Sequence, residues 1–436
     1  MPVKILHAAD LHLDSPLRNL PDALPSAGEA VPLRTLARSA TRRAFTNLID
    51  LAVREAVEVL LLAGDVFDGK WEDHHTGLFF SKELARFTAT GGRVFLARGN
   101  HDAECQMSLH VTLPEGVHTF ASGDRAQVVD LPELGLAVHG WSFPTKAVTD
   151  DPTRRFGPPT PGRFNIGLLH TNLGGTPGHG NYAPTSVQGL VATGLQYWAL
   201  GHIHQRSVTE RDGCAIVYPG NLQGRHAREL AGAEGKGATM LTVDACALVS
   251  LEHRALDVLR WQAVEADVTD CESLDDCVRA VATRVHDALL ESAASLPVVL
   301  RLALVGRTQA HGALLSEAKG LRASIVASLP THRPVYLEKV KVKTRAPAVT
   351  GADPLADPLD RVTAAAQRGH LRAEVSAALM EDLMVQLSKV SLEHTGEDGE
   401  LTTLSLHDYA AAQVEGQNLE DLLDRARATL LHRLRG

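Results

Sequence analysis

Side chains able to bind metal or move protons follow five apolar runs of this 436-residue sequence. One example is Gly99-Asn100-His101-Asp102, which follows the run at residues 94–97. Short apolar runs predict buried strands, and α/β enzymes carry their chemistry in the loops at the carboxyl ends of such strands. The other clusters are Asp10-Leu11-His12, Gly64-Asp65, His170 and Gly201-His202-Ile203-His204.

As candidate ligands these clusters supply two carboxylates, one carboxamide and four imidazoles, with His101 and Asp102 as additional residues. Oxygen and nitrogen donors without thiolates suit manganese, iron, zinc or magnesium. Seven side chains are too many for one tetrahedral ion, but they suffice for two ions that share a bridging carboxylate. Two neighbouring metal ions of this kind serve phosphoryl transfer, so we predict a two-metal site. Its candidate ligands are Asp10, His12, Asp65, Asn100, His170, His202 and His204.

Length and composition are those of an ordinary globular protein with about two or three domains. Hydrophobic residues make up 44% of the chain and charged residues 22%. A formal charge of −9 argues against a protein that coats nucleic acid through bulk electrostatics. From Pro347 onward there are 15 acidic and 8 basic residues, which leaves only −2 for the remainder. A local nucleic-acid surface in the first part therefore stays possible.

Cysteine usage and hydropathy indicate the cellular compartment. The five cysteines are odd in number and form no Cys-x-x-Cys pair, so neither a disulfide scaffold nor a thiolate metal site is expected. The N-terminus leads directly into a predicted strand, and no apolar run is long enough to span a bilayer. We therefore expect a cytoplasmic protein that does not enter a membrane.

The first 255 residues predict a two-sheet α/β sandwich flanked by helices. Apolar residues at helical spacing predict one helix that begins near Ser39 and another over residues 76–88. A second group of short apolar runs predicts a second sheet packed on the first. These runs are residues 127–131, 136–140, 166–169, 199–201, 215–218 and 238–243. The Gly- and Pro-rich segment 171–184 is expected to form a loop over the mouth of the site.

Residues 256–346 predict a small α+β accessory domain, because strand and helix patterns alternate again. Strands are expected at residues 261–268, 298–305 and 335–343, and helices at 274–290 and 309–328. The last strand places Lys339, Lys341 and Lys343 on one side. Such a row fits a surface for a phosphate backbone, and it fits equally an exposed edge strand that lysines protect from pairing.

Residues 347–436 predict a proline-containing linker and two amphipathic helices. The apolar stripe of the first helix is Leu371, Val375, Leu379, Leu383, Leu387 and Val390. That of the second is Leu419, Leu422, Leu423, Ala426, Leu430 and Leu434. Helices of this kind either fold back on the body of the protein or dock on a partner's helical surface. Their separation by a linker favours the partner.

The five clusters, taken in this order, resemble the calcineurin-like metallophosphoesterase superfamily. Three stretches resemble more narrowly the YhaO branch of the SbcD-like DNA repair nucleases: His7-Ala8-Ala9-Asp10-Leu11-His12-Leu13-Asp14-Ser15-Pro16, Arg42-Arg43-Ala44-Phe45 and Gly64-Asp65-Val66-Phe67-Asp68. The resemblance is specific over the first 255 residues and only architectural afterwards. It implies a metallophosphoesterase sandwich, a capping domain at 256–346, and a C-terminal helical segment at 347–436. In the family that segment binds the coiled coil of an ABC-type ATPase of the SbcC or YhaN kind.

Position by position, the resemblance divides the seven ligands between two metals, with Asp65 as the bridge. The ligands of one metal correspond to Asp10, His12, Asp65 and His204, and those of the other to Asp65, Asn100, His170 and His202. His101 corresponds to a histidine that faces the scissile phosphate without binding metal, and Asp102 is expected to orient it. Archaeal members of the family carry a second histidine where Asp68 stands here, which leaves the role of this position open.

The resemblance implies a metal-dependent DNA nuclease, an exonuclease or endonuclease, with manganese as the expected metal. A phosphodiester is anionic and repels hydroxide, so hydrolysis needs charge neutralisation and a nucleophile at neutral pH, which two divalent cations supply. One alternative is another phosphoesterase of the superfamily that acts on nucleotides or small phosphodiesters. A non-enzymatic alternative is a subunit that binds DNA ends for its ATPase partner. A homodimer is compatible with the sequence.

Two further groups of residues near the predicted site have alternative interpretations. His74 and His75 either approach the site or belong to a solvated loop, and the loop is favoured. The tryptophans Trp71, Trp141 and Trp198 either stack on unpaired bases or pack in the core. Packing is the more common role for tryptophan in a globular protein, so we favour it.

Overall fold

The computed structural model describes residues 2–18, 20, 33–68, 74–104, 111–174, 183–230, 232, 234–290, 295–330, 333–347, 391–395 and 401–405. The chain splits into two compact units. The first comprises Met1–Gln262 with Ser292–Val299, and the second comprises Ala263–Glu291 with Leu300–Gly436. The domain boundaries at 255 and 346 that the sequence suggested stay a prediction.

The elements of the first unit alternate between strands and helices. In chain order they are β1 (Val3–Ala8), α1 (Leu33–Arg54), β2 (Val59–Ala63), α2 (His74–Thr88), β3 (Arg93–Ala97), α3 (Asn100–Glu104), β4 (Val117–Thr119), β5 (Gln127–Leu131), β6 (Leu136–Gly140), β7 (Phe164–His170), β8 (Asn172–Leu173), β9 (Pro184–Thr185), α4 (Val187–Ala192), β10 (Tyr197–Gly201), β11 (Ser207–Arg211), β12 (Cys214–Tyr218), β13 (Gly237–Asp244) and β14 (Ala247–Ala255). A short 3-10 helix, Pro152–Arg155, precedes β7.

Two six-stranded sheets form the body of this unit, with strand orders β14-β13-β1-β2-β3-β4 and β11-β12-β10-β7-β6-β5. Strands β1 to β4 are parallel to one another, and β13 and β14 extend that sheet antiparallel. In the second sheet β12, β10, β7 and β6 are parallel, and the edge strands β11 and β5 are antiparallel. Every residue of β2, β7 and β10 is buried, because both faces of these central strands are covered.

Apolar clusters hold these layers together and confirm the predicted two-sheet α/β sandwich. One cluster joins the facing sides of the two sheets and includes Ile5, Leu61, Phe95, Ile166 and Tyr197. A second packs α1 and α2 on the other face of the first sheet and includes Phe45, Leu48, Phe80 and Leu84. A third contains Trp141 and Trp198, both fully buried, as the packing interpretation requires. Trp71 lies outside the described residues.

One strand belongs to a different sheet from the one expected. The apolar run at 238–243 forms β13, which pairs antiparallel with β1 in the first sheet, with Ile5 opposite Leu241. We had placed this run in the second sheet, and that prediction was wrong. An apolar run indicates a buried strand, but Ile5 and its partner Leu241 are 236 residues apart, so the pairing leaves no local signal in the sequence.

The helices also differ from expectation in their limits. Helix α1 begins at Leu33, six residues before Ser39, because Leu33, Leu36 and Ala37 extend its buried face. The helix expected at 309–328 is two helices, α6 (His311–Ser316) and α7 (Ala318–Ser328). The residue between them, Glu317, has φ −115° and ψ 35°, outside the helical region. Among the described residues, no helix combines the length and apolar character needed to cross a membrane.

The remaining elements are β15 (Arg260–Asp267), α5 (Leu274–Leu290), β16 (Val298–Arg307), α6 (His311–Ser316), α7 (Ala318–Ser328), β17 (Val335–Arg345), β18 (Ser391–Thr395) and β19 (Leu401–Ser405). Strands β15, β16 and β17 form one sheet in that order, which leaves β17 at an edge. Lys341 and Lys343 on β17 are exposed, and Lys343 pairs with Glu265 at 3.3 Å. Both interpretations of the lysine row remain compatible with this placement.

Much of the predicted C-terminal segment lies outside the described residues. This includes the linker and both amphipathic helices expected within 347–436. Apart from Pro347, the described part of this segment is the antiparallel pair β18 and β19, which the sequence did not suggest. In the predicted loop over the site, residues 175–182 also lie outside the description, while β8 and β9 pair in parallel on either side of them.

His7 is a buried histidine that makes the sandwich sensitive to acid. It lies on β1 and is fully buried, and its Nδ1 is 3.0 Å from the hydroxyl of Tyr197 in the second sheet. Burial disfavours the imidazolium ion and lowers the pKa of His7 to about 3. Below about pH 6.5 the unfolded chain therefore binds a proton that the folded chain does not, and stability falls as the pH drops toward 3.

We expect a His7→Gln variant to lose less stability on acidification than the wild type. Between about pH 7.5 and pH 5, His7 alone accounts for a loss of about 2 kcal/mol in the free energy of unfolding. Urea denaturation of both proteins in EDTA at the two pH values measures this difference. Equal losses in the two proteins would contradict the prediction.

Candidate metal centre

The seven predicted ligands meet at the carboxyl ends of five strands, β1, β2, β3, β7 and β10. Carboxyl ends of neighbouring parallel strands lie at one edge of a sheet, and the facing edges of the two sheets bring both sets together. Six of the seven residues are buried and His204 is partly buried. The residues brought together are Asp10, His12, Asp65, Asn100, His170, His202 and His204.

One donor group contains two histidine rings that face each other. Nε2 of His12 lies 3.2 Å from Nε2 of His204, and 4.0 Å from Oδ2 of Asp65. Nε2 of His204 lies 3.8 Å from Oδ1 of Asp10. The donor atoms of Asp10, His12 and His204 lie close enough together to hold one cation.

A second donor group is centred on His170. Its Nε2 lies 3.0 Å from Oδ1 of Asn100 and 3.4 Å from Oδ2 of Asp65. The ring of His202 is edge-on to that of His170, with 5.2 Å between centroids, and its backbone N–H donates to both oxygens of Asp10 at 3.1 Å. Because Oδ2 of Asp65 faces both donor groups, its position fits a carboxylate that bridges two cations.

The hydrogen bonds of the rings show which nitrogen is available to a cation. Nδ1 of His12 is 2.7 Å from Oδ1 of Asp68, and Nδ1 of His204 is 2.6 Å from Oε1 of Glu229. A carboxylate only accepts, so each Nδ1 donates and each neutral ring presents a lone pair at Nε2. Two lone pairs that face each other at 3.2 Å repel unless a cation lies between them. The donor set therefore fits divalent cations that take nitrogen and oxygen ligands.

Burial and mutual charge set the protonation states at the site. Burial lowers the pKa of His12 and of His204, which keeps both rings in the neutral form that binds metal. At Asp65 burial opposes the charged form, but His170 outweighs it through its charge and hydrogen bond, and the pKa of Asp65 is lowered. At His170 burial is likewise outweighed by the charge and hydrogen bond of Asp65, which raise the pKa of His170 to about 9.

The loops that carry the ligands are strained. Asp10, His12, Asp65 and His202 all have positive φ, between 40° and 101°, a region that non-glycine residues rarely occupy. Each such residue costs about 1–3 kcal/mol, and the cost is sustained only where surrounding contacts enforce the geometry. Here the N–H of Asp10 donates to the carbonyl of Gly64 at 3.0 Å, and that of His12 to the carbonyl of Asp65 at 3.0 Å. No local sequence pattern predicts this conformation.

Glycines allow the two sheets to close around His170. A Cβ on Gly201 of β10 would lie 1.9 Å from the carbonyl oxygen of Ala63 in β2 and 2.9 Å from Nδ1 of His170. A Cβ on Gly99 would lie 2.2 Å from Oδ1 of Asp65. These approaches are too close for any side chain, so glycine is required at both positions.

His101 is the most exposed of the predicted catalytic residues, with 38% of its side chain accessible. Its Nδ1 lies 3.5 Å from Oδ1 of Asp68, and its ring is edge-on to that of His12 at 5.3 Å between centroids. Asp102, which we expected to orient His101, is buried and accepts from the backbone N–H groups of Phe67 and Gly99 at 3.1 and 3.0 Å. Asp68 therefore places a carboxylate where it can orient His101, and the orienting role expected for Asp102 stays a prediction.

Sequence reasoning did not identify several residues that support the site. Glu229, the partner of His204, lies 25 residues away along the chain and belongs to no recognisable motif. The buried amine of Lys236 donates to the backbone carbonyl of His204. Asp68 ends the stretch Gly64-Asp65-Val66-Phe67-Asp68, but only the folded structure shows that it contacts Nδ1 of His12. Of the two histidines with alternative interpretations, His75 is exposed at the start of α2.

Comparison with known proteins agrees with this geometry. Residues 3–206 match the calcineurin-like phosphoesterase family, and residues 261–345 match the middle domain of metallophosphoesterase YhaO. The uncharacterized metallophosphoesterase YhaO of Bacillus subtilis (strain 168) is 35% identical over 305 residues, which are 69% of this chain and 71% of that protein. The chain belongs to the calcineurin-like metallophosphoesterase family, and within it to the SbcD/YhaO-like branch.

More distant similarity extends to proteins named for DNA repair. The DNA double-strand break repair protein Mre11 of Sulfurisphaera tokodaii is 26% identical over 208 residues, 45% of this chain and 52% of that protein. The protein of the same name from Saccharolobus solfataricus is 25% identical over 248 residues, 55% of this chain and 60% of that protein. Each match spans less than two thirds of the length of the archaeal relative.

We expect binding of a divalent cation to release about one proton near pH 7. His170, with its pKa raised to about 9, is protonated at that pH and must lose the proton to present Nε2 as a ligand. Affinity should therefore rise as the pH increases toward 9. Calorimetric titration of Mn²⁺ in buffers with different ionisation enthalpies counts the protons released.

A His170→Gln variant is the control, because it removes the titrating ring. The total number of protons released when the protein is saturated with Mn²⁺ should fall by about one. Heats of binding that do not depend on the buffer in the wild type would contradict the prediction.

Proposed function

We propose that the protein is a metal-dependent DNA nuclease that hydrolyses phosphodiester bonds, with manganese as its metal. The observation that carries this proposal is the pair of donor groups that share Asp65, beside a partly exposed His101. Membership of the metallophosphoesterase family supports phosphoesterase activity. The distant similarity to proteins named for DNA double-strand break repair supports DNA as the substrate.

The donor groups suit hydrolysis of an anionic diester. Divalent cations, when bound, neutralise charge on the phosphate and lower the pKa of a water molecule. The contribution of the chain is to hold the donors rigidly, since His12, His170 and His204 are each fixed through Nδ1. Buried side chains that are fixed before substrate arrives need no reorganisation during the reaction, which favours the transition state.

His101 is the residue we assign to proton transfer at the leaving oxygen. It lies at the edge of the donor groups, beside His12, and is more exposed than any predicted ligand. The contact of its Nδ1 with Asp68 leaves Nε2 for the substrate. A histidine in this position can protonate the departing alkoxide or stabilise its charge.

The assembly that we propose is the nuclease subunit of an SbcCD-like complex in the cytoplasm. The basis is the resemblance of the sequence to SbcD-like nucleases and the predicted helices within residues 347–436. The partner is an ABC-type coiled-coil ATPase of the SbcC or YhaN kind, and a homodimer of the nuclease fits the same scheme. Co-purification of the intact chain with such an ATPase tests this proposal, and separate elution of the two proteins would contradict it.

We expect the wild-type protein to hydrolyse DNA in the presence of Mn²⁺ and to lose this activity in EDTA. An Asp65→Ala variant lacks the bridging carboxylate and should be inactive. A His101→Ala variant keeps every predicted ligand and should retain metal binding while its rate falls by about 10²- to 10⁴-fold. The measurement is release of nucleotides or fragments from linear and closed circular DNA.

An Asp130→Ala variant is the matched control, because this carboxylate pairs with Arg163 on the exposed edge of the second sheet. It should retain wild-type activity. Equal activity of the wild type, Asp65→Ala and His101→Ala would refute the proposal. Turnover of bis-p-nitrophenyl phosphate without turnover of DNA would indicate a phosphodiesterase for small substrates, and DNA-end binding without any turnover would indicate a non-catalytic subunit.

A further inference from the structure

Arg225 contacts both carboxylates that orient the facing histidines. Its Nη1 lies 3.5 Å from each oxygen of Asp68, and its Nη2 lies 3.4 Å from Oε1 of Glu229. Asp68 accepts from His12, and Glu229 accepts from His204. The guanidinium therefore connects two chains of contacts. One leads through Asp68 to His12 and the other through Glu229 to His204, and the two chains meet again at the facing Nε2 atoms, which closes a ring of contacts.

Additional contacts hold Arg225 in place. Its backbone N–H donates to Oε2 of Glu229 at 2.6 Å, and Nη1 donates to Oγ of Ser15 at 3.1 Å. Its carbonyl accepts from the N–H of Arg18 at 2.8 Å, and the N–H of Ser15 donates to the carbonyl of His12 at 3.0 Å. The arginine is thus tied to the loop that carries His12, and only 16% of its side chain is exposed.

In the second donor group, His170 is oriented by a backbone carbonyl. Nδ1 of His170 is 2.9 Å from the backbone carbonyl oxygen of Ala63, which lies in β2. A backbone carbonyl within a strand is held by the sheet and does not depend on a neighbouring charge. His170 is therefore supported differently from His12 and His204, and a substitution at Arg225 should distinguish between the two donor groups.

We infer that Arg225 is a positioning residue that sets the affinity of the cation held by His12 and His204. This inference rests on the two-cation site of the proposed function. A carboxylate that accepts from a ligand histidine fixes its tautomer and raises its basicity, and loss of such support lowers metal affinity by about 10- to 100-fold. Arg225 holds Asp68 and Glu229 at once, because a planar guanidinium presents several donors in fixed directions.

Titration of Mn²⁺ into the metal-free, full-length protein tests this inference by calorimetry. We expect the wild type to bind two ions. The Arg225→Gln variant should bind one ion as tightly as the wild type and the other about tenfold or more weakly. The Arg225→Lys variant keeps the charge but loses the planar group, so it should weaken the same ion.

The matched control is Arg93→Gln, which removes an arginine that pairs with Glu133 and begins β3, at the end of that strand opposite to Asn100. It should bind both ions like the wild type. Thermal unfolding of each variant in EDTA, where no ion contributes, shows whether the fold is retained. If Arg225→Gln does not fold, Arg225→Lys provides the comparison.

Two background variants identify which ion is weakened. His12→Ala lacks a ligand of the first donor group, so adding Arg225→Gln should not weaken the remaining ion. Asn100→Ala lacks a ligand of the second group, so the same addition should weaken the remaining ion about tenfold or more. The opposite pattern would overturn the inference.

Two other results would also overturn it. Unchanged affinities of both ions in the Arg225 variants would show that the ring of contacts does not influence metal binding. Equal weakening of both ions would show a general structural role for Arg225. Either result would leave the proposed function intact, whereas a wild-type protein that binds no Mn²⁺ would refute the proposed function itself.

Discussion

The hydrogen bond between Nδ1 of His170 and the carbonyl oxygen of Ala63 joins the two sheets of the sandwich at the metal centre. It requires β7 and β10 to approach β2 so closely that Gly201 has no room for a Cβ. Because this contact sets the spacing of the sheets at that edge, ligands that follow strands of both sheets come within reach of one another. The narrow separation of the sheets is thus the constraint on which the site depends.

This arrangement concentrates groups that repel each other in a space with little solvent. Asp10 and Asp65 are both buried there beside imidazole lone pairs, and these two residues, His12 and His202 all have positive φ. Such a cluster is unfavourable by itself, because unpaired buried polar groups and strained dihedrals each raise the free energy of the folded state. Cations that neutralise the carboxylates and accept the lone pairs relieve this repulsion, so metal binding and stability of the site are coupled.

Much of the fold follows from patterns in the sequence. The central strands are continuous apolar runs, since both faces of a covered sheet demand apolar residues locally. Strands β5 and β6 also have the predicted limits, although β5 is an edge strand that is mostly exposed. The assignment of β13 failed because pairing is a long-range choice, and β1 and β13 are far apart along the chain. The early start of α1 and the break between α6 and α7 depend on which side chains become buried in the folded protein. The spacing of apolar residues along the sequence does not show this.

The metal centre shows the same division between local and long-range information. The types of ligand and their order could be predicted from the sequence, because metals bind few types of side chain. In this fold those side chains also follow directly after the strands in short polar clusters. Tertiary structure decided that the Asp68 carboxylate lies close to His101, and that Glu229 and Arg225 support the facing histidines. These supporting contacts join Arg225 to Asp68 across 157 positions of the chain, where no spacing rule applies. Only the folded backbone brings such residues into contact.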